Sequence, residues 1–319
     1  MTRKIAVLCL LSVLPAAAFV SAQSDPEWRS WNQPVKPFRI IGNIYYVGMS
    51  GVTSFLITSP QGHILLDGGF AESAPLILKS IGELGFKPRD VKFLVFSHGH
   101  SDHAGGLAEL QRATGATVVS SEGDAPMLRS GGKGDFTFGD RFLFPAVEPA
   151  RIIRDGESVS AGEAKLTAHL TPGHTKGCTS WTAKAQEGGR EYNVLFHCST
   201  TVPGHKLVNN PQYPQIVADY EQSFRTLRAL PCDVLLAPHS GFFAMDEKRA
   251  KLSAGGSNPF VNPKECAAFI ERSAAQFRQE LDKQKKSDSP YQAKPGGLKT
   301  LLIPPNLELL WHSFRTSSG

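Results

Sequence analysis

Ser97-His98-Gly99-His100-Ser101-Asp102-His103 is the stretch that decides how this chain folds and what it can bind. Three imidazoles and a carboxylate within six residues are the nitrogen and oxygen donors that zinc prefers. The apolar run 91–96 before it has strand composition, and Gly105-Gly106 and a helical pattern reaching Thr114 follow it. In extended backbone, side chains alternate, so His98 and His100 project to one side. As the chain turns into the helix, Asp102 and His103 point elsewhere, toward a second ion. One ion cannot comfortably take all four groups from so short a segment, whereas two adjacent ions can. A lone histidine is usually a packed or surface residue, but packing does not account for a dense polar cluster closing a core strand.

Two more histidines share that local setting. His174 follows a strand in Thr171-Pro172-Gly173-His174, and His239 does so in Ala237-Pro238-His239-Ser240-Gly241. Loops at strand ends, bounded by Pro and Gly, are where ligands are expected. The donor arithmetic then closes, with His98, His100 and His174 on one zinc and Asp102, His103 and His239 on the other. His63 begins a strand, His169 faces outward or packs, and His312 lies in the tail. His197 and His205 fall near the site without a motif. Asp67, at the end of an apolar strand, is either a turn former or an acceptor orienting a ligand histidine.

Hydrophobic residues make up 41% of the 319 and charged residues 20%, an ordinary globular composition. The first 22 residues read as a cleaved signal peptide, with Arg3 and Lys4, an apolar core, and Val20-Ser21-Ala22 before the cut. Removing those two cations lowers the formal charge from +5 to +3, with no basic cluster suited to nucleic acid. No run of ~20 apolar residues suggests a membrane span. Export points to a periplasm, and there the four cysteines besides Cys9 fit two disulfides. Three connectivities exist, and the most local is Cys178–Cys198 with Cys232–Cys266. No C-x-x-C pair supports thiolate zinc ligation.

Strands are expected at 39–47, 53–58, 63–66, 91–96, 166–170, 179–183, 193–196 and 234–237. Helices are expected at 74–84, from the metal motif to Thr114, and at 220–230, 244–253 and 263–285. Two similarly ordered halves imply an α/β architecture of two packed sheets with helices outside. The domain spans 23–285, residues 130–140 form an exposed loop, and 286–319 form a poorly ordered tail of unassigned role.

These residues resemble the metallo-β-lactamase superfamily, whose signature is H-x-H-x-D-H and whose fold is an αββα sandwich of two mixed sheets. The likeness runs over nearly all of the chain from residue 23 to about Lys285. It is similar in particular to subclass B3, through Gly173-His174-Thr175-Lys176-Gly177-Cys178-Thr179-Ser180-Trp181, Asn210-Pro211-Gln212-Tyr213-Pro214, Asp219-Tyr220, Ser223-Phe224 and residues 231–236. The resemblance implies two zinc ions per chain and hydrolysis of the β-lactam amide by a metal-bound hydroxide, conferring antibiotic resistance. It gives Asp102 a catalytic as well as a ligating role, and gives Ser199 and Thr201 the substrate carboxylate. It also implies the Cys232–Cys266 bridge. Glyoxalase II and lactonase relatives place a bridging Asp where this chain has Leu195-Phe196-His197-Cys198-Ser199-Thr200 with no carboxylate, whereas subclass B3 has a serine there, which Ser199 fits; a lactonase or thioesterase of the same superfamily is the alternative. The expected partner is a small-molecule β-lactam, with neither nucleic acid nor membrane, and the chain is read as a monomer.

Overall fold

A computed structural model describes residues 26–288. The signal-peptide segment and all of the tail beyond residue 288 lie outside the described residues. A short helix α1 (Pro26–Trp31) precedes a seven-stranded sheet in the order β1 to β7. Its strands are β1 (Phe38–Ile41), β2 (Ile44–Tyr46), β3 (Phe55–Ile57), β4 (His63–Leu66), β5 (Val91–Val95), β6 (Thr117–Ser121) and β7 (Arg151–Ile153). Neighbours pair antiparallel up to β4 and parallel from β4 to β7. The second sheet contains β8 (Ser158–Ala161), β9 (Ala164–Leu170), β10 (Thr179–Glu187), β11 (Arg190–Phe196) and β12 (Val234–Leu236). Its order is β12-β11-β10-β9-β8, with only the β11–β12 pair parallel.

The apolar runs are continuous because both faces of the first sheet are covered. Phe55, Ile64, Leu66, Val95 and Val119 join Leu166, Trp181 and Val194 in one buried cluster that includes the space between the sheets. The alternate residues Leu56, Leu65, Leu94 and Val118 enter a second cluster. There they meet Ile77 and Ile81 of α2 (Ala74–Glu83) and Leu107 and Leu110 of α4 (Leu107–Thr114). Outside the second sheet, α6 (Ile216–Ala229) packs with α8 (Pro263–Ser287). The α8 residues Cys266, Phe269, Ile270, Ser273, Ala274, Phe277 and Leu281 are buried at the spacing of one helical face. The expected αββα sandwich is thus the observed fold.

Several boundaries differ from the expectation. The single strand at 39–47 is a β1–β2 hairpin, because Gly42 at φ 52° forms a tight turn with Asn43. The first helix after the metal motif divides into α3 (Ser101–Ala104) and α4, with Gly105 and Gly106 between them. α6 starts four residues earlier than the 220–230 pattern suggests. The last two helices are α7 (Met245–Ala254) and α8, and α8 runs to Ser287, past the expected end of the domain. Residues 130–140 are not simply exposed. After α5 (Ala125–Ser130), the chain buries Asp135 and part-buries Phe136 and Phe138 against the site.

Candidate metal centre

The site lies where the loops after β5, β9, β11 and β12 converge. Hydrogen bonds to backbone carbonyls join the two sheets there. The Thr179 N–H donates to the Ser97 carbonyl at 2.9 Å, and the Trp181 indole N–H donates to the Phe96 carbonyl at 3.0 Å. The Thr53 N–H donates to the Pro238 carbonyl at 3.0 Å, fixing the segment that bears His239. The Cys178–Cys198 disulfide links the loops after β9 and β11, with 6.0 Å between Cα atoms. The Cys232–Cys266 disulfide ties the approach to β12 to α8. Both expected bridges are present, so the two sulfurs beside His98 are not thiolate donors.

His98, His100 and His174 offer nitrogens that lie within 4.8 Å of one another. Asp102 faces the other pair, with Oδ2 at 3.1 Å from His103 Nε2 and 3.3 Å from His239 Nε2. The rings of His98 and His103 are 4.3 Å apart, so the two donor groups adjoin. His103 is fully buried, and neither of its ring nitrogens has a hydrogen-bond partner; Asp102 is near Nε2 but poorly aligned. A buried imidazole with unmet nitrogens is costly unless something ligates it. The donor chemistry and these unmet atoms fit a metal ion.

One nitrogen on each of the first three rings already has a protein partner. His98 Nδ1 pairs with Ser97 Oγ at 3.1 Å, and His174 Nδ1 donates to the Thr201 carbonyl at 3.0 Å. His100 Nε2 faces Asp135 Oδ2 at 3.3 Å. Such partners select the tautomer and leave the opposite nitrogen's lone pair for a metal. Burial, reinforced by neighbouring histidines, holds His98 and His174 well below the usual imidazole range. Burial opposes the charge on Asp102, but His103 and His239 overcome it and hold the carboxyl well below its usual range.

Two buried carboxylates brace this frame. Asp67, at φ 65°, accepts the Ser97 N–H at 2.6 Å. Burial pushes its carboxyl up to about 6, against the pull of His103 and the Ser97 bond. Asp67 therefore both occupies a strained turn and holds the start of the ligand loop. Asp124 accepts from the Gly99 N–H at 2.9 Å, the Gly177 N–H at 2.8 Å and the Thr175 hydroxyl at 2.8 Å. One carboxylate thus joins the His98–His100 loop to the loop carrying His174. Gly106 permits another close approach: a Cβ there would stand 2.2 Å from the Gly68 carbonyl oxygen.

All six expected ligand positions converge, together with Ser199 and Thr201. The hydroxyls of those two residues pair at 3.1 Å, and Thr201 Oγ1 lies 3.2 Å from His174 Nδ1. His63 packs on Phe86, His169 pairs with Thr182, and His197 packs on Phe269, all away from the centre. His205, lacking a motif, is closer: its ring is 5.4 Å from that of His174, and its Nδ1 pairs with Thr137 Oγ1 at 2.6 Å. Trp31 lies edge-on to His239, and Trp28 packs on Phe70 and Phe142. Asp124 and Asp135 carry no local sequence signal of this role. An Asp beside Gly in a loop ordinarily reads as turn chemistry, and nothing local reveals a distant histidine loop.

Residues 47–239, which include β3 to β12 and every donor described above, match the family model of the metallo-β-lactamase superfamily. The chain belongs to this superfamily. Among solved superfamily structures, native FEZ-1 metallo-β-lactamase from Legionella gormanii is 42% identical, with a TM-score of 0.78 over 80% of this chain and 98% of that one. BJP-1, a subclass B3 metallo-β-lactamase of Bradyrhizobium japonicum, is 39% identical, with a TM-score of 0.77 over 82% and 99%. The resemblance to subclass B3 is thereby borne out. Curated superfamily relatives are more distant. An acyl-coenzyme A thioesterase, MBLAC2 of Gallus gallus, is 27% identical over 58% of this chain and 70% of its own length. The N-acyl homoserine lactonase AttM of Agrobacterium fabrum is 30% identical over 42% and 59%. A UPF0173 metal-dependent hydrolase of Listeria monocytogenes aligns over only 36% of its length.

Proposed function

We propose that the chain is an exported di-zinc β-lactamase that opens the β-lactam amide bond. The carrying observation is the pair of adjoining donor groups, His98/His100/His174 and Asp102/His103/His239, with Ser199 where the family resemblance implies a bridging Asp in glyoxalase II and lactonases. When bound, a zinc pair supplies Lewis acidity and makes water a competent nucleophile at neutral pH. Asp102 keeps its charge there and accepts a hydrogen bond from the attacking water, which it orients. Ser97, Thr201 and Asp135 hold the backs of the three imidazoles, so the donors are in place before substrate arrives. Ser199 and Thr201 donate hydroxyl hydrogen bonds to the carboxylate that β-lactams carry beside the ring. No protein nucleophile is required, so no acyl-enzyme forms.

Residues 1–22 direct export and are removed, the catalytic domain runs from residue 23 to the end of α8 at Ser287, and the mature protein acts in the periplasm as a monomer. N-terminal sequencing of the mature protein checks the cut. The functional test is hydrolysis of a chromogenic cephalosporin and a carbapenem, with and without chelator, beside an acyl-homoserine lactone and an acyl thioester. Chelator-sensitive β-lactam turnover with two zinc ions per chain is expected. Full activity in zinc-free protein, or faster turnover of the lactone or thioester, overturns the proposal. The thioesterase and lactonase relatives make those two substrates the informative competitors.

A further inference from the structure

The segment between α5 and β7 looks at first like a surface excursion, with Gly131, Gly132, Gly134 and Gly139 all at positive φ. Yet it returns a carboxylate to the centre. Asp135 and Gly139 exchange backbone hydrogen bonds at 3.2 and 2.9 Å, closing a small loop. Within it, Asp135 Oδ1 accepts the Thr137 N–H at 2.8 Å and the Phe138 N–H at 2.6 Å. The turn therefore uses one carboxylate oxygen and aims the other, Oδ2, at His100 Nε2, 3.3 Å away. Phe138 packs edge-on to the same imidazole at 5.5 Å.

We infer that Asp135 is a positioning residue for the metal centre: it holds His100 by Nε2 and so commits Nδ1 to the ion. The other two imidazoles of this donor group have neutral partners on the ring nitrogen away from the ion, the Ser97 hydroxyl and the Thr201 carbonyl. His100 alone has a carboxylate, which fixes the ring and makes its remaining nitrogen a stronger donor. Because the carboxylate is borne by the 131–139 loop, that loop is part of what sets metal affinity. Asp135 thereby acts through His100 and touches neither substrate nor ion.

Asp135→Asn separates this role from the turn, since the amide oxygen still accepts the two N–H groups while NH2 replaces the acceptor facing His100. This inference rests on the zinc-centre reading, and zinc titration of the metal-free protein against a chromophoric chelator distinguishes their failures. One of the two binding steps should weaken ~10–100-fold in the variant, the loss typical of removing such a partner. The other should stay near its wild-type value, with an unchanged thermal midpoint for the metal-free protein. Zinc uptake by wild type with an identical isotherm for the variant overturns this inference alone; no zinc uptake by wild type overturns both. A second measurement needs no loop variant: nitrogen-15 NMR of zinc-loaded wild type, with His100 assigned by its loss in His100→Gln. A zinc-shifted Nδ1 and a protonated Nε2 support the inference, and the reverse assignment refutes it.

Discussion

Replacing Asp124 by Ala removes an acceptor that joins the His98–His100 loop to the loop carrying His174. The Gly99 and Gly177 N–H groups then lose bonds of 2.9 and 2.8 Å in a buried environment. The Thr175 hydroxyl loses a third bond but can rotate toward another acceptor. Each buried donor left unmet costs ~1–3 kcal/mol, so the two backbone groups together predict a loss of about 2–6 kcal/mol. Asp124→Asn keeps one acceptor oxygen, and its NH2 can donate to Thr175, so the loss should fall to ~1–3 kcal/mol for a single orphaned N–H. Urea unfolding of the metal-free proteins measures both values, with an unchanged m-value showing that the same surface is exposed. Zinc affinity should fall alongside stability, because Gly99 sits between His98 and His100. A loss below ~1 kcal/mol in the Ala variant, with zinc affinity intact, refutes the reasoning.

Gly106→Ala should destabilise by ~1–3 kcal/mol, since its Cβ would meet the Gly68 carbonyl at 2.2 Å; a wild-type urea midpoint would show that the α3–α4 junction yields freely. Replacing Cys178 and Cys198 together by Ser should cost ~3 kcal/mol, the loop-entropy expectation for a separation of 20 residues, read by unfolding against the oxidised parent. His197 supplies a pH signature, because burial lowers its imidazole to about 3. The unfolded chain then binds this proton from near pH 6.5 downward while the folded chain resists it to about 3, so stability falls across that window. In His197→Gln that contribution is absent, and the stability gap between wild type and variant should shrink or reverse from pH 7 to pH 4. A pH-independent gap would contradict the assignment.

The candidate metal-site residues were legible because their chemistry is dense and local. A cluster such as residues 98–103 cannot be mistaken for core packing, and His174 and His239 repeat the same strand-end setting. The strands were legible for a different reason. Leu65 and Leu66, or Leu94 and Val95, read as unbroken apolar runs because each neighbour serves a different buried cluster. Gly42-Asn43 was the missed turn, hidden inside a run that looked uniformly strand-forming. Asp124 and Asp135 remained hidden for a deeper reason. Each has the local environment of an ordinary turn residue, and its value comes from a partner that only the folded chain brings near. His205 was expected near the site but without a motif, and the partner that orients it, Thr137 of the loop ahead of β7, is likewise supplied only by the folded chain.

Almost half of the chain lies between His98 and His239, and the donors between them come from both sheets. No fragment ending before β12 contains the complete set, and no local helix or hairpin can assemble it. Such long-range closure is slow and comes late in folding. Metal uptake is therefore a certificate of completed folding: partly folded or truncated chains hold histidines but not the cage. Metal would be captured chiefly by molecules that had finished folding, and metal binding would serve a biochemist as a quality assay for the whole sandwich.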